Sequence, residues 1–367
     1  MINISNLSLT YRGSHGTHAA VDGVSLQARQ GMFYTLLGPS GCGKTSLLRC
    51  VAGLERPDAG EIAIGDETVY SSQLNIFVPP HRRRIGMVFQ SHAIWPHMTV
   101  FENVAFPLRH RHPRLASMEI RKKVVAALAL VQLAGLEARP APFLSGGQQQ
   151  RLALARALAA EPRVLLLDEP LSNLDAKLRE EMRIEIRQVV ERLGVTTLFV
   201  THEQIEALTM SDVMAVMKDG RIVQEGAPEA VYRHPADSFV ADFIGSSNLL
   251  NGTLGAVTRG TAGARALVAT SIGAVECHPE NALREGETVT VAIRPEHVVL
   301  LGAGAAPGPN QFWGTVEAVT FIGNLYDCRI AIGAARLRMQ LLPSARVESG
   351  AQIRLGLPPE HCLALRP

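Results

Sequence analysis

The run Gly38-Pro39-Ser40-Gly41-Cys42-Gly43-Lys44-Thr45 has the spacing of a phosphate-binding loop: a glycine, four residues, then Gly-Lys-Thr. Its glycines let the backbone turn N–H groups toward an anion, and a helix beginning at the loop adds its positive end. Lys44 is placed to reach the β- and γ-phosphates of a nucleotide, and the Thr45 hydroxyl to help hold Mg2+. Asp168-Glu169 closes an apolar run further on. There Asp168 reads as a ligand of Mg2+, directly or through water, and Glu169 as the group that orients and deprotonates an attacking water. His202 ends a third apolar run and reads as a contact to the γ-phosphate. Gln90 either reaches the same crevice from the end of its strand or simply terminates that strand. Ser145, Gly146, Gly147 and Gln148 open a helix whose free N–H donors suit an anion. Tyr11 offers a flat face for an adenine ring, with plain packing as the alternative.

These side chains need strands that end together. Residues 32–37, 85–89, 164–167 and 196–201 are short apolar runs of the kind that forms buried strands, and open α/β sheets bind ligands at the carboxyl ends of such strands. Residues 2–9 alternate and pair with a second strand near 24–26, which would put Tyr11 on an edge near the loop. A helix is expected over 46–52, followed by short strands at 60–65 and 76–78. His81-Arg82-Arg83-Arg84 is expected as a solvated basic loop face. Residues 91–108 are unusually apolar for a connection, and suit either docking of a partner or packing against their own domain. Thr99 is expected to cap a short helix through Val104, and Ser117 to cap one over 117–133. Another helix follows over 145–160. Leu174, Leu178, Met182, Ile186, Val189 and Leu193 mark the apolar face of a further helix closed by Gly194. A hairpin over 213–217 and 221–224 and a helical stretch over 227–244 complete the first part. From about 246 short strands such as 288–293, 313–320 and 326–332 alternate with Gly and Pro turns, the pattern of a small barrel.

Composition narrows the class. A chain of 367 residues suggests roughly two domains. Its net charge of +2 is too small to make nucleic acid the expected partner, and no basic strip interleaved with aromatics appears in the second part. Five cysteines without a C-x-x-C spacing argue against a disulfide or zinc framework and for a reducing compartment. His110-Arg111-His112 lacks the further ligands of a metal site. No run approaches the roughly 20 apolar residues of a membrane helix, and residues 1–4 open as a strand rather than as a signal peptide, so a soluble chain is expected.

Taken in order, Gly38–Thr45, Gln90, Leu144–Gln148, Leu165–Pro170, Ser172-Asn173-Leu174-Asp175 and His202 resemble the motifs of ATP-binding cassette (ABC) transporter ATPases: Walker A, Q-loop, signature, Walker B with its glutamate, D-loop and H-loop. The resemblance covers about residues 1–240. It implies an α/β P-loop NTPase fold with a RecA-like core, an antiparallel β subdomain and a helical subdomain over about 91–160. It also implies ATP and Mg2+ as ligands, and a head-to-tail homodimer in which Ser145, Gly146 and Gly147 of one copy close on ATP held by the other. Carried over in the same way, Gln90 senses Mg2+ and the γ-phosphate, Tyr11 is the adenine-stacking aromatic, and 91–108 receives the coupling helices of two membrane-spanning permease subunits. Asn173 departs from the alanine of many relatives. Residues 291–297 and 314–323 resemble the TOBE domain, an OB-like appendage of bacterial importer ATPases, which places a second domain over 246–367. The whole resembles an ATP-hydrolysing importer subunit at the cytoplasmic face of the inner membrane, fed by an extracytoplasmic solute-binding protein; it looks most like those serving iron(III) or polyamines, with sulfate, sugar and phosphonate systems left open because the substrate never touches these motifs. A non-transport ABC ATPase of DNA repair or translation is the alternative, although neither a long coiled coil nor a second cassette is visible. Cys42, inside the loop, is expected to make activity sensitive to thiol alkylation.

Overall fold

Five parallel strands form the centre of the first part of this computed structural model, which describes residues 1–13, 16–91, 93–110, 113–260, 263–280, 283–302 and 304–367. Ser14 and His15 of the first hairpin turn, His92 of the apolar connection, and Arg111 and His112 of the histidine pair lie outside the described residues. The chain divides into two units, Met1–Pro228 and Glu229–Pro367.

In the first unit the central sheet runs Arg221–Gly226, Val213–Lys218, Phe33–Leu37, Thr196–Thr201, Val164–Asp168, Ile85–Val88. The first pair is antiparallel and the rest are parallel. Phe33–Leu37, Val164–Asp168 and Thr196–Thr201 are buried at every position, as parallel strands covered on both faces must be, so they read as continuous apolar runs rather than as alternation. Their carboxyl ends lead directly into the phosphate loop, Asp168-Glu169 and His202, and Ile85–Val88 leads to Gln90. A second, antiparallel sheet runs Gly16–Ala28, Ile2–Gly13, Ala59–Ile64, Glu67–Ser71, Ile76–Phe77. Three helices, Val100–Arg109, Ser117–Leu130 and Gly146–Ala159, share a core that includes Val104, Leu108, Val124, Leu128 and Leu152. The expected RecA-like core, β subdomain and helical subdomain are thus all present.

Several local expectations are corrected. The helix capped by Thr99 does not stop at Val104 but runs to Arg109 with Pro107 inside it. Leu108 is fully buried there, and that packing outweighs the hydrogen bond the proline ring removes. Ser117 is the first helical residue and not the cap, which is Ala116 without a side-chain bond, and the helix ends at Leu130 rather than 133. Leu193 does not join the buried face of Ala176–Leu193 but is exposed in the last turn before Gly194 (φ 59°). Arg83, read as part of a solvated loop face, is 1 % exposed. Its guanidinium donates to the carbonyls of Val78 (2.7 Å), Cys50 (2.7 Å) and Val51 (2.9 Å), so burial is met by carbonyl acceptors rather than by water.

In the second unit Asn248–Gly260, Gly263–Thr270, Gly273–Pro279, Cys362–Leu365 and Thr288–Ile293 close into a five-stranded barrel, the expected OB-like element. The strands expected at 313–320 and 326–332 form, but outside this barrel: they belong to a companion five-stranded sheet, Val299–Leu301, Gln352–Gly356, Gln311–Phe321, Tyr326–Ile332, Ala335–Leu341, which shares one core with the barrel through Val268, Val291, Ile330, Met339 and Leu355. The helical stretch assigned by sequence to the first domain forms two short helices, Pro228–Arg233 and Ser238–Phe243. Arg294 ties both to the barrel by donating to the carbonyls of Ala241 (2.7 Å) and Tyr232 (3.2 Å), and the division falls accordingly at 228/229 rather than near 240.

Candidate functional site: a crevice at the strand ends

The phosphate loop joins Phe33–Leu37 to the helix Lys44–Ala52, with Gly43 as its N-cap at φ 101°. A Cβ at Gly43 would lie 1.9 Å from the Ala20 carbonyl oxygen, and one at Gly38 would lie 2.4 Å from that of Met217. Only glycine fits either place, which fixes the curvature of the loop. Lys44 is 4 % exposed. Its ammonium donates to the loop's own carbonyls, Gly38 O at 2.8 Å and Pro39 O at 2.9 Å, so Pro39 belongs to the cradle through its backbone. Ser40 and Gly41 form the exposed crest, Gly41 at φ 82°. Cys42 corrects an expectation. It is 4 % exposed, and burial pushes its thiol up, against the downward pull of Lys44. A buried thiol kept protonated is a poor target for alkylation.

Thr45, the second residue of that helix, donates its hydroxyl to Asp168 Oδ1 at 3.0 Å. Asp168 is 6 % exposed, and burial, more than the neighbouring Glu169 charge, holds its carboxyl above the usual range while Thr45 and Lys44 pull it down. A buried carboxylate beside a hydroxyl is a hard-oxygen donor set of the kind Mg2+ prefers. The next residue, Glu169, sits in the left-handed region at φ 43°. Such a backbone costs about 1–3 kcal/mol and persists only where its surroundings hold it. Here its amide donates to Val200 O at 3.0 Å, and Ser172 Oγ donates to its carbonyl at 3.0 Å. The side chain meets two others: Gln90 Nε2 donates to Glu169 Oε2 at 3.2 Å, and His202 Nδ1 lies 3.1 Å from Glu169 Oε1. Asn173 Nδ2 donates to Gln90 O at 2.8 Å, so the D-loop departure from alanine has a structural use. Lys44, Thr45, Gln90, Asp168, Glu169 and His202 are therefore brought to one crevice.

Two predicted parts stand apart from these contacts. Tyr11 is 43 % exposed, and its hydroxyl bonds Glu55 and, at 3.1 Å, Ser46 Oγ on the loop's helix. It stands beside the loop's helix, held there by its hydroxyl. Ser145 caps Gly146–Ala159 reciprocally: Gln148 N–H donates to Ser145 Oγ (3.4 Å) and Ser145 N–H to Gln148 Oε1 (3.0 Å). A Cβ at Gly147 would meet Leu178 Cδ1 at 2.8 Å, whereas Gly146 has room. Among the described residues no hydrogen bond joins Ser145–Gln148 to the phosphate loop. In the 91–108 stretch, Trp95 packs against Phe106 with the rings tilted by 40° at 4.3 Å and lies under the Arg156 guanidinium at 4.7 Å. Sequence reasoning missed Arg83, Arg179, Thr201 and Glu206.

A phosphate loop, an acidic pair and a histidine at the carboxyl ends of adjacent parallel strands define a P-loop ATPase. Comparison with known proteins narrows that class. Residues 21–172 match the ABC transporter family and residues 291–365 the TOBE domain. The spermidine/putrescine import ATP-binding protein PotA of Pseudomonas fluorescens (strain Pf0-1) is 43 % identical over 370 residues, covering 99 % of this chain and 98 % of that protein. The protein of the same name from Rubrobacter xylanophilus is 44 % identical over 357 residues, 95 % of this chain and 90 % of that one. Among solved structures, the dimeric structure of MJ0796, a bacterial ABC transporter cassette, is similar at a TM-score of 0.54 and 32 % identity, over 62 % of this chain and 99 % of that one. CbiO1 of Clostridium perfringens, part of the ABC transporter complex cbiONQ, gives 0.55 and 31 % over 63 % and 90 %. The chain belongs to the ABC transporter family: it is an ATP-binding cassette ATPase carrying a TOBE domain.

Proposed function

We propose that this chain energises a bacterial importer of polyamines. It would work as a head-to-tail homodimer at the cytoplasmic face of the inner membrane, with two membrane-spanning permease subunits and an extracytoplasmic solute-binding protein. The observation that carries the hydrolytic part is the convergence of Gln90 and His202 on Glu169, next to the Thr45–Asp168 pair. The polyamine part is supported by the two full-length relatives named above, both spermidine/putrescine import proteins; neither supports iron(III), the other substrate class favoured by the sequence. No helix among the described residues is long and apolar enough to cross a membrane, so in this reading transport needs separate membrane subunits. The domain reading is a cassette followed by a TOBE-bearing unit, parting near 228.

In the mechanism, ATP lies along the loop with Tyr11 against adenine, and its phosphates take over the Lys44 ammonium from Gly38 and Pro39. Thr45 and Asp168 would hold Mg2+, with Gln90 facing the same point; the ion would neutralise charge on the β- and γ-phosphates. Glu169 accepts a proton from the attacking water, the new bond forms at the γ-phosphorus, and the bond to the β–γ bridging oxygen breaks to give ADP and phosphate. His202, held by Glu169, donates to the γ-phosphate. Ser145, Gly146, Gly147 and Gln148 of the second copy cover the nucleotide from the other side.

Glu169→Gln should lower ATP turnover at least about 100-fold while ATP binding survives and a nucleotide-bound dimer accumulates. Wild-type turnover in that variant would remove Glu169 from the role. Uptake of labelled putrescine and spermidine, measured in cells lacking the chain and complemented with it, tests the substrate. Uptake of iron(III) restored in place of polyamine would replace that part of the reading.

A further inference from the structure

Beneath the turn that carries His202, a second set of polar side chains is shut off from water. Glu206, in the helix Gln204–Met210, is 2 % exposed. Thr201 Oγ1, at the end of the buried strand, donates to Glu206 Oε2 at 2.5 Å, and the same hydroxyl accepts the Glu203 N–H at 3.0 Å. The turn 201–203, which presents His202, is therefore pinned from within by one hydroxyl engaged on both sides. The pin continues outward. Glu203 Oε1 faces Arg179 Nη1 at 3.4 Å, and Arg179 Nη2 donates to Leu174 O at 3.1 Å, inside the D-loop. Asn173 returns the path to Gln90 O, and Gln90 and His202 both hold Glu169. The polar contacts thus form a ring through Gln90, Glu169, His202, Glu203, Arg179 and the D-loop, and Thr201–Glu206 is its anchor in the core.

A buried carboxyl is expensive and is tolerated where its hydrogen bonds fix something. Glu206 Oε1 has no hydrogen-bond partner, and Arg183 Nη1 nearby in sequence to Arg179 is likewise buried and unpartnered, so the group is not explained by local satisfaction. A methionine or leucine would fill the place more cheaply.

We propose that Glu206, acting through Thr201, is a positioning residue for hydrolysis: it sets the 201–203 turn so that His202 meets Glu169 and the γ-phosphate. This rests on the reading of Glu169 and His202 given above. Neither Glu206 nor Thr201 touches the nucleotide, so the effect falls on turnover and not on ATP affinity. A displacement of the reacting groups by about 1 Å costs on the order of 100-fold.

The test is steady-state hydrolysis by the full chain, with kcat and KM for ATP separated, for Thr201→Val, Thr201→Ser, Glu206→Ala, Glu206→Gln and the double variant Thr201→Val/Glu206→Ala. Expected are kcat losses of about 10- to 100-fold in Thr201→Val and Glu206→Ala with KM within about twofold. Recovery to within about threefold is expected in Thr201→Ser and Glu206→Gln, which keep the donor and the acceptor, and no further loss in the double variant. Wild-type kcat in Thr201→Val and Glu206→Ala overturns the proposal, as does Glu206→Gln as impaired as Glu206→Ala. If Glu206→Ala does not fold, Thr201→Val against Thr201→Ser decides alone, because that pair changes one hydroxyl. Glu169→Gln run alongside separates the two readings: turnover unchanged there removes the site assignment itself, whereas turnover lost there with the others unaffected removes only the positioning role.

Discussion

Gly43, Lys44 and Cys42 show how closely the phosphate loop is determined. The glycine has a backbone oxygen 1.9 Å from where its Cβ would stand, and the lysine is folded onto carbonyls of its own loop. Cys42 precedes both, and the Lys44 ammonium lies 3.7 Å from its sulfur. That cation favours a thiolate, but burial is the larger effect and the thiol stays up. Iodoacetamide at pH 7.5 should therefore modify native Cys42 at least about tenfold more slowly than the unfolded chain, with mass spectrometry of the tryptic peptide as the readout. Rapid modification of the native protein would mean that the loop opens spontaneously. The loop, the acidic pair, Gln90 and His202 were legible because each sits at a sequence landmark, a glycine pattern or the end of an apolar run. Arg83 was not legible: flanked by Arg82 and Arg84, it looks like any solvated basic residue, and only carbonyls from 50, 51 and 78, brought together by the fold, reveal its place.

At the scale of elements, parallel strands could be read from the chain because burial on both faces leaves uninterrupted apolar letters. Helix ends were read less well. Ser117 satisfies the composition of a cap, but the chain enters that helix one residue earlier, and Pro107 suggests a stop where tertiary packing continues the helix. The short helix Gln204–Met210 carries its own forecast. Burial first, then the Glu203 charge, push the Glu206 carboxyl above its ordinary 4.5, against the Thr201 hydroxyl and the Arg179 and Arg183 charges, which pull it down. Between that ordinary value and the raised one, the folded chain holds a proton the unfolded chain has lost, so stability contributed here is present at lower pH and falls as pH rises through the window. Glu206→Gln does not titrate. Its melting temperature relative to the parent should be higher at pH 8 than at pH 4, by differential scanning fluorimetry at both. A difference independent of pH would show that the carboxyl has no raised proton affinity in the fold.

At the scale of the molecule, the second unit has a core of its own and takes the helices Pro228–Arg233 and Ser238–Phe243 with it through Arg294. A fragment over 229–367 should unfold cooperatively in urea. One over 246–367 leaves the guanidinium without Ala241 O and Tyr232 O and should lose about 2–3 kcal/mol; equal stability of the two would return the division to the place the sequence suggested. The companion sheet was folded into the barrel by the sequence reading: two of its strands, 313–320 and 326–332, were legible, but nothing in their alternation or in the turns beside them says which of two sheets they join. The closing of that barrel has a consequence for handling the protein. A ring of strands leaves no row of unpaired amides on which another chain can template itself. The edges that remain belong to the companion sheet: one is the three-residue Val299–Leu301, and the other, Ala335–Leu341, carries the charges of Arg336 and Arg338. Short or charged edges resist fibril growth, so the unit should tolerate concentration and long storage without sheet-to-sheet aggregation.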